Sequence, residues 1–400
     1  MRIAIDARKL HDFGIGTYLR NLVRQLARLD GASEYLLLCR PDDTDLAAQL
    51  GPNFRAIPEA SSPYSVAEQV TIPARLARER VDLFHTPHYV LPPLVRCRSV
   101  VTIHDCIHLM FPQYLPNRFA HVYAKAFMWS ATHLSDAVLT VSEASKRDIL
   151  RFFDIDPGKV TVIPNAIDED FLSPPDEAAR TLVRERFQIA GDFLLYVGNI
   201  KPHKNVERLI DAFHELHRSG FEDLTLIVIG DDSSKYATLR RAVHRYKLHK
   251  AVRFLGFVSG ETLSALYALA RVFVFPSLYE GFGLPPLEAL AMGTPVVTSN
   301  VSSLPEVVGD AAVLIDPYDA QSIADGIRRV LTDEALRAEL QRRGPLRARE
   351  FSWEASVRRV LCIYQGLAAP PTTSTTCSAV TATRSRRRRT STSSRPEACG

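Results

Sequence analysis

The apolar positions of the chain fall into short continuous runs that are separated by stretches with a helical period. Runs rich in Val, Ile and Leu that do not alternate with polar residues are typical of strands buried on both faces of a parallel sheet. Between the runs, apolar residues recur every three to four positions, which predicts helices. The predicted strands are 3–5, 35–39, 81–84, 100–103, 137–141, 160–163, 193–197, 224–229, 252–257, 272–275, 296–298 and 312–315.

The alternation of strands and helices occurs twice, so the sequence predicts two doubly wound α/β domains. A polar, proline-containing segment near residues 170–190 separates the two series. We therefore expect a first domain at 1–180, a second domain at 181–352 and a last amphipathic helix at 353–369. The Ser/Thr/Arg-rich segment 370–400 lacks the apolar residues that a core needs, so we expect it to be disordered.

The charge of the chain is concentrated at its end. The 400 residues carry a formal charge of +4, but segment 370–400 alone holds six arginines and one glutamate, which leaves 1–369 at −1. A nucleic-acid-binding role would need a basic face on the folded body and is therefore disfavoured. No apolar run approaches the roughly 18 residues of a membrane span, and the N-terminus becomes charged too early for a secretory signal. We expect a cytoplasmic protein.

The segment 276–297, PSLYEGFGLPPLEALAMGTPVV, follows a predicted strand and leads into a helix. Pro285 and Pro286 suit the first turn of a helix, where the missing N–H of proline costs little. The preceding backbone N–H groups would then lie at a helix N-terminus and at the carboxyl end of a strand, which favours binding of a pyrophosphate. The residues expected to form this cradle are Gly281, Phe282, Gly283 and Leu284.

Two glutamates flank this cradle, Glu280 in the loop and Glu288 in the first turn of the helix. Carboxylates do not bind phosphate, but they accept hydrogen bonds from hydroxyl groups. We therefore interpret Glu280 as a partner of a sugar hydroxyl and Glu288 as a partner of a ribose hydroxyl. The alternatives are a surface loop carboxylate for Glu280 and an interaction with the helix dipole for Glu288.

The two glutamates with seven residues between them resemble the signature of the group 1 (family 4) retaining glycosyltransferases. Further segments fall in the order of that family: GIGTY at 14–18, TIHD at 102–105, TVSE at 140–143, VIPN at 162–165, YVGNIKPHKN at 196–205 and PE at 305–306. The resemblance covers most of 1–366. It implies the α/β GT-B fold, in which two Rossmann-like doubly wound domains face a central cleft and the C-terminal helix crosses back to the first domain.

The resemblance also implies roles for single residues. Lys204 matches the lysine that neutralises the donor diphosphate, and His104 matches the histidine that contacts the donor sugar from the first domain. With Glu280, they form the predicted catalytic set. The alternatives are a solvated lysine for Lys204 and a structural hydrogen-bonding histidine for His104.

The remaining predicted donor contacts are Gly16 and Asn199. Gly16 belongs to the loop 14–16, which we interpret as a donor-phosphate and acceptor loop. Many members of the family carry an arginine where Asn199 stands, and His203 is then a candidate for the second phosphate-binding cation.

The activity implied is transfer of a hexosyl group, with mannosyl favoured, from a nucleotide diphosphate sugar to a saccharide or lipid-linked oligosaccharide in bacterial surface polysaccharide synthesis. GDP-mannose is the favoured donor because the variant around Asn199 is similar to the bacterial mannosyltransferase branch, and UDP- and dTDP-sugars stay open. No cofactor is expected. Alternatives are a non-catalytic nucleotide-sugar-binding protein and a nucleotide-sugar epimerase on the same scaffold.

Two aspartate segments of the sequence are candidates for a metal site. Asp43-Thr44-Asp45 has the DxD form of a metal site, but its context is typical of a turn and helix cap, and Asp231-Asp232 is typical of a turn. We therefore expect no metal.

Arg20, Arg24 and Arg28 recur every four residues beside the apolar stripe of one helix. They are either an ordinary solvated flank or a contact with anionic lipid headgroups at a membrane that holds a lipid-linked acceptor.

Overall fold

The computed structural model describes residues 1–12, 14–115, 117–171, 173–230 and 237–368. The predicted turn at Asp231-Asp232 and the segment 370–400 lie outside these ranges. Within them, the strands form two fully parallel sheets, each packed between helices, and the predicted GT-B architecture is confirmed. Each of the twelve predicted strands overlaps a strand of the structure.

The first sheet has seven strands among the described residues, in the order β3-β2-β1-β4-β5-β6-β7. Its central strands are buried on both faces, which explains their continuous apolar sequences. The strands are β1 Arg2–Asp6, β2 Glu34–Cys39, β3 Phe54–Pro58, β4 Leu83–Thr86, β5 Arg98–Thr102, β6 Ala137–Thr140 and β7 Val160–Val162.

The second sheet has six strands among the described residues, in the order β10-β9-β8-β11-β12-β13. In both sheets the strand order reverses beside the first strand of the domain, and ligands of open α/β sheets bind at such a switch point. The strands are β8 Phe193–Val197, β9 Thr225–Ile229, β10 Val252–Gly256, β11 Val272–Phe275, β12 Val296–Ser299 and β13 Ala312–Ile315.

Helices cover both faces of each sheet. Their amphipathic sequences bury one apolar stripe against the strands. The helices are α1 Ile15–Leu29, α2 Asp45–Leu50, α3 Glu68–Arg78, α4 Ile107–Met110, α5 Arg118–Leu134, α6 Glu143–Phe152, α7 Glu177–Arg186, α8 Val206–Arg218, α9 Ala237–Arg245, α10 Gly260–Leu269, α11 Leu284–Ala291, α12 Leu304–Val308, α13 Ala320–Thr332, α14 Glu334–Ala348 and α15 Trp353–Ala368. None of the helices in the described part of the chain combines the length and the apolar character that a bilayer crossing requires.

The last helix, α15, packs on the first domain although it follows the second. Its residues Trp353, Val357 and Val360 are buried in one cluster with β1, β2 and α1. Tyr364 Oη lies 2.5 Å from Nδ1 of His85 on β4, which joins the helix to the sheet by a buried hydrogen bond. Burial lowers the pKa of His85 to about 3, so this histidine is neutral in the core. The helix thus crosses back and connects the two domains a second time.

One strand, β3, has no counterpart among the predicted strands. It lies at the edge of the first sheet, where Phe54 and Ile57 are buried and Arg55 is exposed. An edge strand with one solvated face carries no continuous apolar run, which is the pattern that the prediction relied on.

Candidate active site

The carboxyl ends of the two sheets face each other, and two loops meet there directly. One follows β5 and holds His104, and the other follows β11 and holds Gly281. A Cβ atom on Gly281 would lie 2.4 Å from the carbonyl oxygen of His104, so only glycine allows this approach. Ser145 Oγ donates to the His104 carbonyl at 3.0 Å and lies 3.2 Å from that of Gly281.

Further hydrogen bonds hold the two domains in this arrangement. Tyr279 Oη donates to Asp148 Oδ2 at 2.7 Å and accepts from the backbone N–H of Cys106 at 3.1 Å. The Glu306 carboxylate accepts from the backbone N–H groups of Glu143 and Ala144 at 2.8 and 3.1 Å, at the N-terminus of α6. These contacts position the His104 loop against the loop of the second domain.

The structure brings Lys204 and Glu280 together in the second domain. Lys204 Nζ lies 2.6 Å from Glu280 Oε1, and the side chains are only 15% and 12% exposed. Lys204 ends a 3₁₀ turn after β8, and the Glu280 backbone is fixed by Ser302, whose Oγ lies 3.1 Å from the amide nitrogen and donates to the carbonyl at 2.6 Å. The pair places a cation and a carboxylate side by side in a confined position.

The predicted anion cradle lies at the start of α11, directly after Glu280. Gly283 has a φ of +106°, which L-residues rarely adopt, and a Cβ atom there would lie 2.7 Å from Leu304 Cδ2. Phe282 turns its side chain into the core of the second domain, and Leu284 is the first residue of the helix. The backbone geometry suits a helix N-terminal anion site, and phosphate binding there stays a prediction.

Glu288 lies on α11 with partners different from those of Glu280. Its Oε2 accepts a hydrogen bond from Tyr267 Oη at 2.9 Å. Burial, with a smaller effect of the Asp168 carboxylate, raises the pKa of Glu288 to about 7. The ribose contact proposed for this residue stays a prediction, and near neutral pH the group is present in both its charged and its protonated form.

The raised pKa makes the contribution of Glu288 to stability dependent on pH. The folded chain retains this proton more tightly than an unfolded glutamate, whose pKa is about 4.3, so the free energy of unfolding falls as the pH rises through the window from about 4 to about 7. We expect Glu288→Gln to remove this dependence, with a change of about 2 to 3 kcal/mol in the difference between variant and wild type from pH 5 to pH 8.

Urea unfolding of both proteins at several pH values measures this difference, in which the other titrating groups cancel. Glu354→Gln, at an exposed position of α15, is the matched control and should leave the difference constant. A constant difference for Glu288→Gln as well would contradict the raised pKa.

His104 presents a defined hydrogen-bonding group to the cleft. Its Nε2 lies 3.0 Å from the carbonyl oxygen of Pro87 and therefore donates to it. Burial lowers the pKa of His104 to about 4, against the opposing effect of the nearby Asp105 carboxylate. The ring also packs edge-on against Tyr18 at 4.9 Å. A neutral histidine with its proton on Nε2 leaves Nδ1 as an acceptor that suits a hydroxyl group.

The loop after β8 differs from expectation in its charges. Burial, followed by the positive charges of Lys204 and Lys201, lowers the pKa of His203 to about 3, so His203 is neutral in this structure, and its role as a second phosphate-binding cation stays a prediction. Lys201 is exposed in the same loop and carries a positive charge to which the sequence analysis gave no role. The Asn199 side-chain oxygen is buried and has no hydrogen-bond partner in the described ranges, which is compatible with a ligand contact.

Contacts within the chain itself explain why position 16 is a glycine. Its N–H donates to the carbonyl oxygen of Asp12 at 2.8 Å, and a Cβ atom would lie 2.4 Å from the carbonyl oxygen of Leu10. The glycine is thus required for packing of α1 against the preceding loop. Its contact with a donor phosphate stays a prediction.

The arginines of α1 and the DxD-like segment have partners on the chain. Arg28 Nη1 lies 2.5 Å from Glu169 Oε1, Arg24 lies 3.8 Å from Asp168, and Arg20 donates to the Leu10 carbonyl at 2.5 Å.

Asp43 ends a 3₁₀ turn and its Oδ1 lies 2.7 Å from His11 Nε2, and Asp45 begins α2. The two aspartates therefore occupy a turn and a helix start.

A buried ionic network at the end of β1 was not anticipated from the sequence. Arg8 Nη2 lies 2.7 Å from Asp6 Oδ2 and 2.8 Å from Glu68 Oε2, and all three side chains are almost fully buried. His88 Nε2 lies 3.3 Å from the same Asp6 oxygen. Charged residues immediately after a buried strand are the sequence signal for it. The network fixes the loop on the first-domain side of the cleft.

Comparison with protein families gives two matches that together span both domains. Residues 14–171 match the family described as Glycosyltransferase Family 4, and residues 184–347 match Glycosyl transferases group 1. The chain is 35% identical over 284 residues to O-antigen chain mannosyltransferase B of Escherichia coli, covering 71% of this chain and 74% of that protein.

Two further similarities agree with these matches. The serotype-specific mannosyltransferase WbdA of Escherichia coli is 32% identical over 262 residues, but these cover 64% of this chain and only 32% of WbdA. Among solved structures, a sucrose-phosphate synthase from Thermosynechococcus elongatus superimposes with a TM-score of 0.75 at 24% identity, covering 92% of this chain and 99% of that chain. The last similarity concerns the fold alone.

Proposed function

The chain belongs to the group 1 glycosyltransferases, and on that premise we propose that it transfers a mannosyl group from GDP-mannose to a saccharide acceptor with retention of the anomeric configuration. Two relatives that carry mannosyltransferase names support the choice of sugar. The local sequence around Asn199 supports the donor base. UDP- and dTDP-sugars are the competing donors.

The observation that carries the proposal is the Lys204–Glu280 pair, at 2.6 Å, beside the start of α11. A nucleotide diphosphate sugar joins an anionic leaving group to a neutral ring rich in hydroxyl groups. A cation and a carboxylate placed side by side complement that junction, since Lys204 can contact the diphosphate while Glu280 accepts from sugar hydroxyls.

In the proposed reaction, the bond between the anomeric carbon and the diphosphate oxygen breaks while the acceptor oxygen attacks on the same face of the sugar. Lys204 and the N–H groups at the start of α11 stabilise the negative charge that develops on the leaving diphosphate. A diphosphate oxygen takes the proton of the acceptor hydroxyl. His104, through Nδ1, accepts from a sugar hydroxyl and orients the ring from the first domain.

The acceptor in this proposal is a saccharide or lipid-linked oligosaccharide of a bacterial surface polysaccharide. The support is the name of the 35% identical relative, an O-antigen chain mannosyltransferase. The acceptor would enter from the first domain, between the His104 loop and the Asp6–Arg8–Glu68 network.

Transfer of radiolabelled mannose from GDP-mannose to a mannose-containing oligosaccharide tests the proposal directly. We expect transfer that continues in EDTA, because Lys204 supplies the charge that a metal would otherwise supply, and an α-linked product. GDP should raise the melting temperature more than UDP or dTDP at equal concentration, by an amount that grows with concentration. Binding without transfer would indicate a non-catalytic protein, and activity only with added manganese would contradict the metal-independent mechanism.

A further inference from the structure

Helix α5 of the first domain turns an apolar face towards solvent. Phe119 is 84% exposed, Val122 64% and Trp129 52%. With the exposed Ala126, these residues recur at intervals of three and four, so they share one side of the helix. The opposite side, which includes Ala124, Met128 and Ala131, is buried. A helix on an ordinary solvated surface carries polar residues at the outward positions.

The charges around this α5 face, defined as Phe119, Val122, Ala126 and Trp129, are basic. The 17 residues of α5 contain no Asp or Glu, and Lys125 is exposed at the edge of the face. At the C-terminal end of the helix, Leu134 lines a shallow depression together with Arg96 and the Arg98–Asp136 ion pair, so the charge that this pair leaves uncompensated there is that of Arg96. Among the described residues, Asp136 in this depression is paired with Arg98, and no ion pair of Lys125 or of Arg96 is found.

We infer that the α5 face binds the surface of a bilayer that contains anionic lipids. Exposed Phe and Trp beside basic residues, on a helix without acidic residues, are the features of helices that lie in the membrane interface. The cations attract anionic headgroups and the apolar side chains enter the boundary with the acyl chains. This assigns membrane contact to α5 instead of α1, because Arg24 and Arg28 of α1 are paired with Asp168 and Glu169.

The position of α5 places this membrane contact on the same side of the cleft as the His104 loop. The chain runs from His104 through α4 into α5, and Phe111 in this connection contacts the ring of Tyr279, with 5.9 Å between centroids. His121 on α5 lies 3.1 Å from the carbonyl oxygen of His108 on α4. An acceptor anchored in that membrane would therefore reach the cleft from the first-domain side. Only this last step rests on the proposed function.

The chain contains a built-in reporter for the experiment. It has two tryptophans, the exposed Trp129 and the buried Trp353, so a change in emission on membrane binding comes from Trp129. With vesicles of phosphatidylethanolamine and phosphatidylglycerol, we expect the full-length protein to sediment with the lipid. Its emission should shift to shorter wavelength and be quenched by brominated acyl chains. Vesicles of phosphatidylcholine alone should bind it more weakly.

The variant Phe119→Ser/Val122→Ser should lower the apparent affinity for anionic vesicles by about tenfold or more, because the apolar area that enters the bilayer is lost. Phe257→Ser is the matched control, since Phe257 is 81% exposed on a loop of the second domain. It should bind as the wild type does. Both variants should keep the wild-type melting temperature.

Three outcomes would overturn the inference. The first is vesicle binding without a change in Trp129 emission, which would indicate attraction through the arginine-rich segment 370–400 alone. The second is equal vesicle affinity of the double variant and the wild type. The third is a dimer in gel filtration that the double variant abolishes, which would make a second copy of this chain the occupant of the face. Because none of these measurements uses sugar transfer, they stand or fall independently of the proposed activity.

Discussion

Replacing Glu280 with glutamine is expected to lower the rate of sugar transfer by about two to three orders of magnitude. The amide keeps the shape of the side chain but loses the charge that lets it accept strong hydrogen bonds from sugar hydroxyls. The effect should fall on kcat, because the interaction orients the sugar in the transition state. Steady-state rates with the donor held at saturation measure it.

A second measurement distinguishes loss of catalysis from loss of the donor site. Glu280 is expected to contact the sugar and not the nucleotide, so the stabilisation of the variant by GDP should stay close to that of the wild type. Glu339→Gln, on the surface of α14 where this residue pairs with Arg342 and Arg343, is the control and should leave both quantities unchanged. Turnover near that of the wild type in purified Glu280→Gln would remove this residue from the proposed mechanism.

The central strands of the two sheets could be predicted from the sequence because they are buried on both faces. Strands in the middle of a parallel sheet contact helices on both sides, and their continuous apolar sequences therefore identify them without further information. The edge strand Phe54–Pro58 does not show this pattern, because one of its faces is in contact with solvent and Arg55 is exposed there. Its existence depends on the pairing with β2, which is a tertiary contact.

The candidate site was predictable as a set of residues but not as an arrangement of charges. The resemblance of the two loop segments to the family identified Lys204 and Glu280, yet their contact at 2.6 Å joins positions 76 residues apart. His203 has the residue type of a cation, and only the burial of its loop shows that it is neutral. Such burial is a property of the assembled domain, which local sequence does not specify.

The arginines of α1 are a second case in which local sequence does not specify the tertiary contacts, here at the surface. Their interval of four residues correctly indicated one basic flank of a helix, but their acidic partners follow about 140 residues later in the chain. The exposed apolar face of α5 could not be predicted from the sequence either, because an amphipathic pattern does not say which side of a helix faces the core. Only the packing of Met128 and Ala131 against the first sheet decides it.

Replacing Lys204 with methionine is expected to lower kcat/KM for the donor by about three orders of magnitude or more. The cation acts on the diphosphate, where negative charge develops as the sugar leaves, and such interactions contribute several kcal/mol to lowering the barrier. Unlike Glu280→Gln, this variant should also lose most of the stabilisation by GDP, because the diphosphate is present in the free nucleotide. Lys201→Met, in the same loop but exposed, controls for general electrostatic attraction.

The two variants together test whether the pair acts as a unit. Lys204→Met leaves the Glu280 carboxylate confined without its cation, so part of the loss comes from a misplaced carboxylate and not from the diphosphate. The double variant Glu280→Gln/Lys204→Met should therefore lose less activity than the product of the single losses, as expected for side chains in direct contact. Strictly multiplicative losses, or equal losses for Lys201→Met and Lys204→Met, would contradict a specific role of the Lys204–Glu280 contact and leave only the overall charge of the loop.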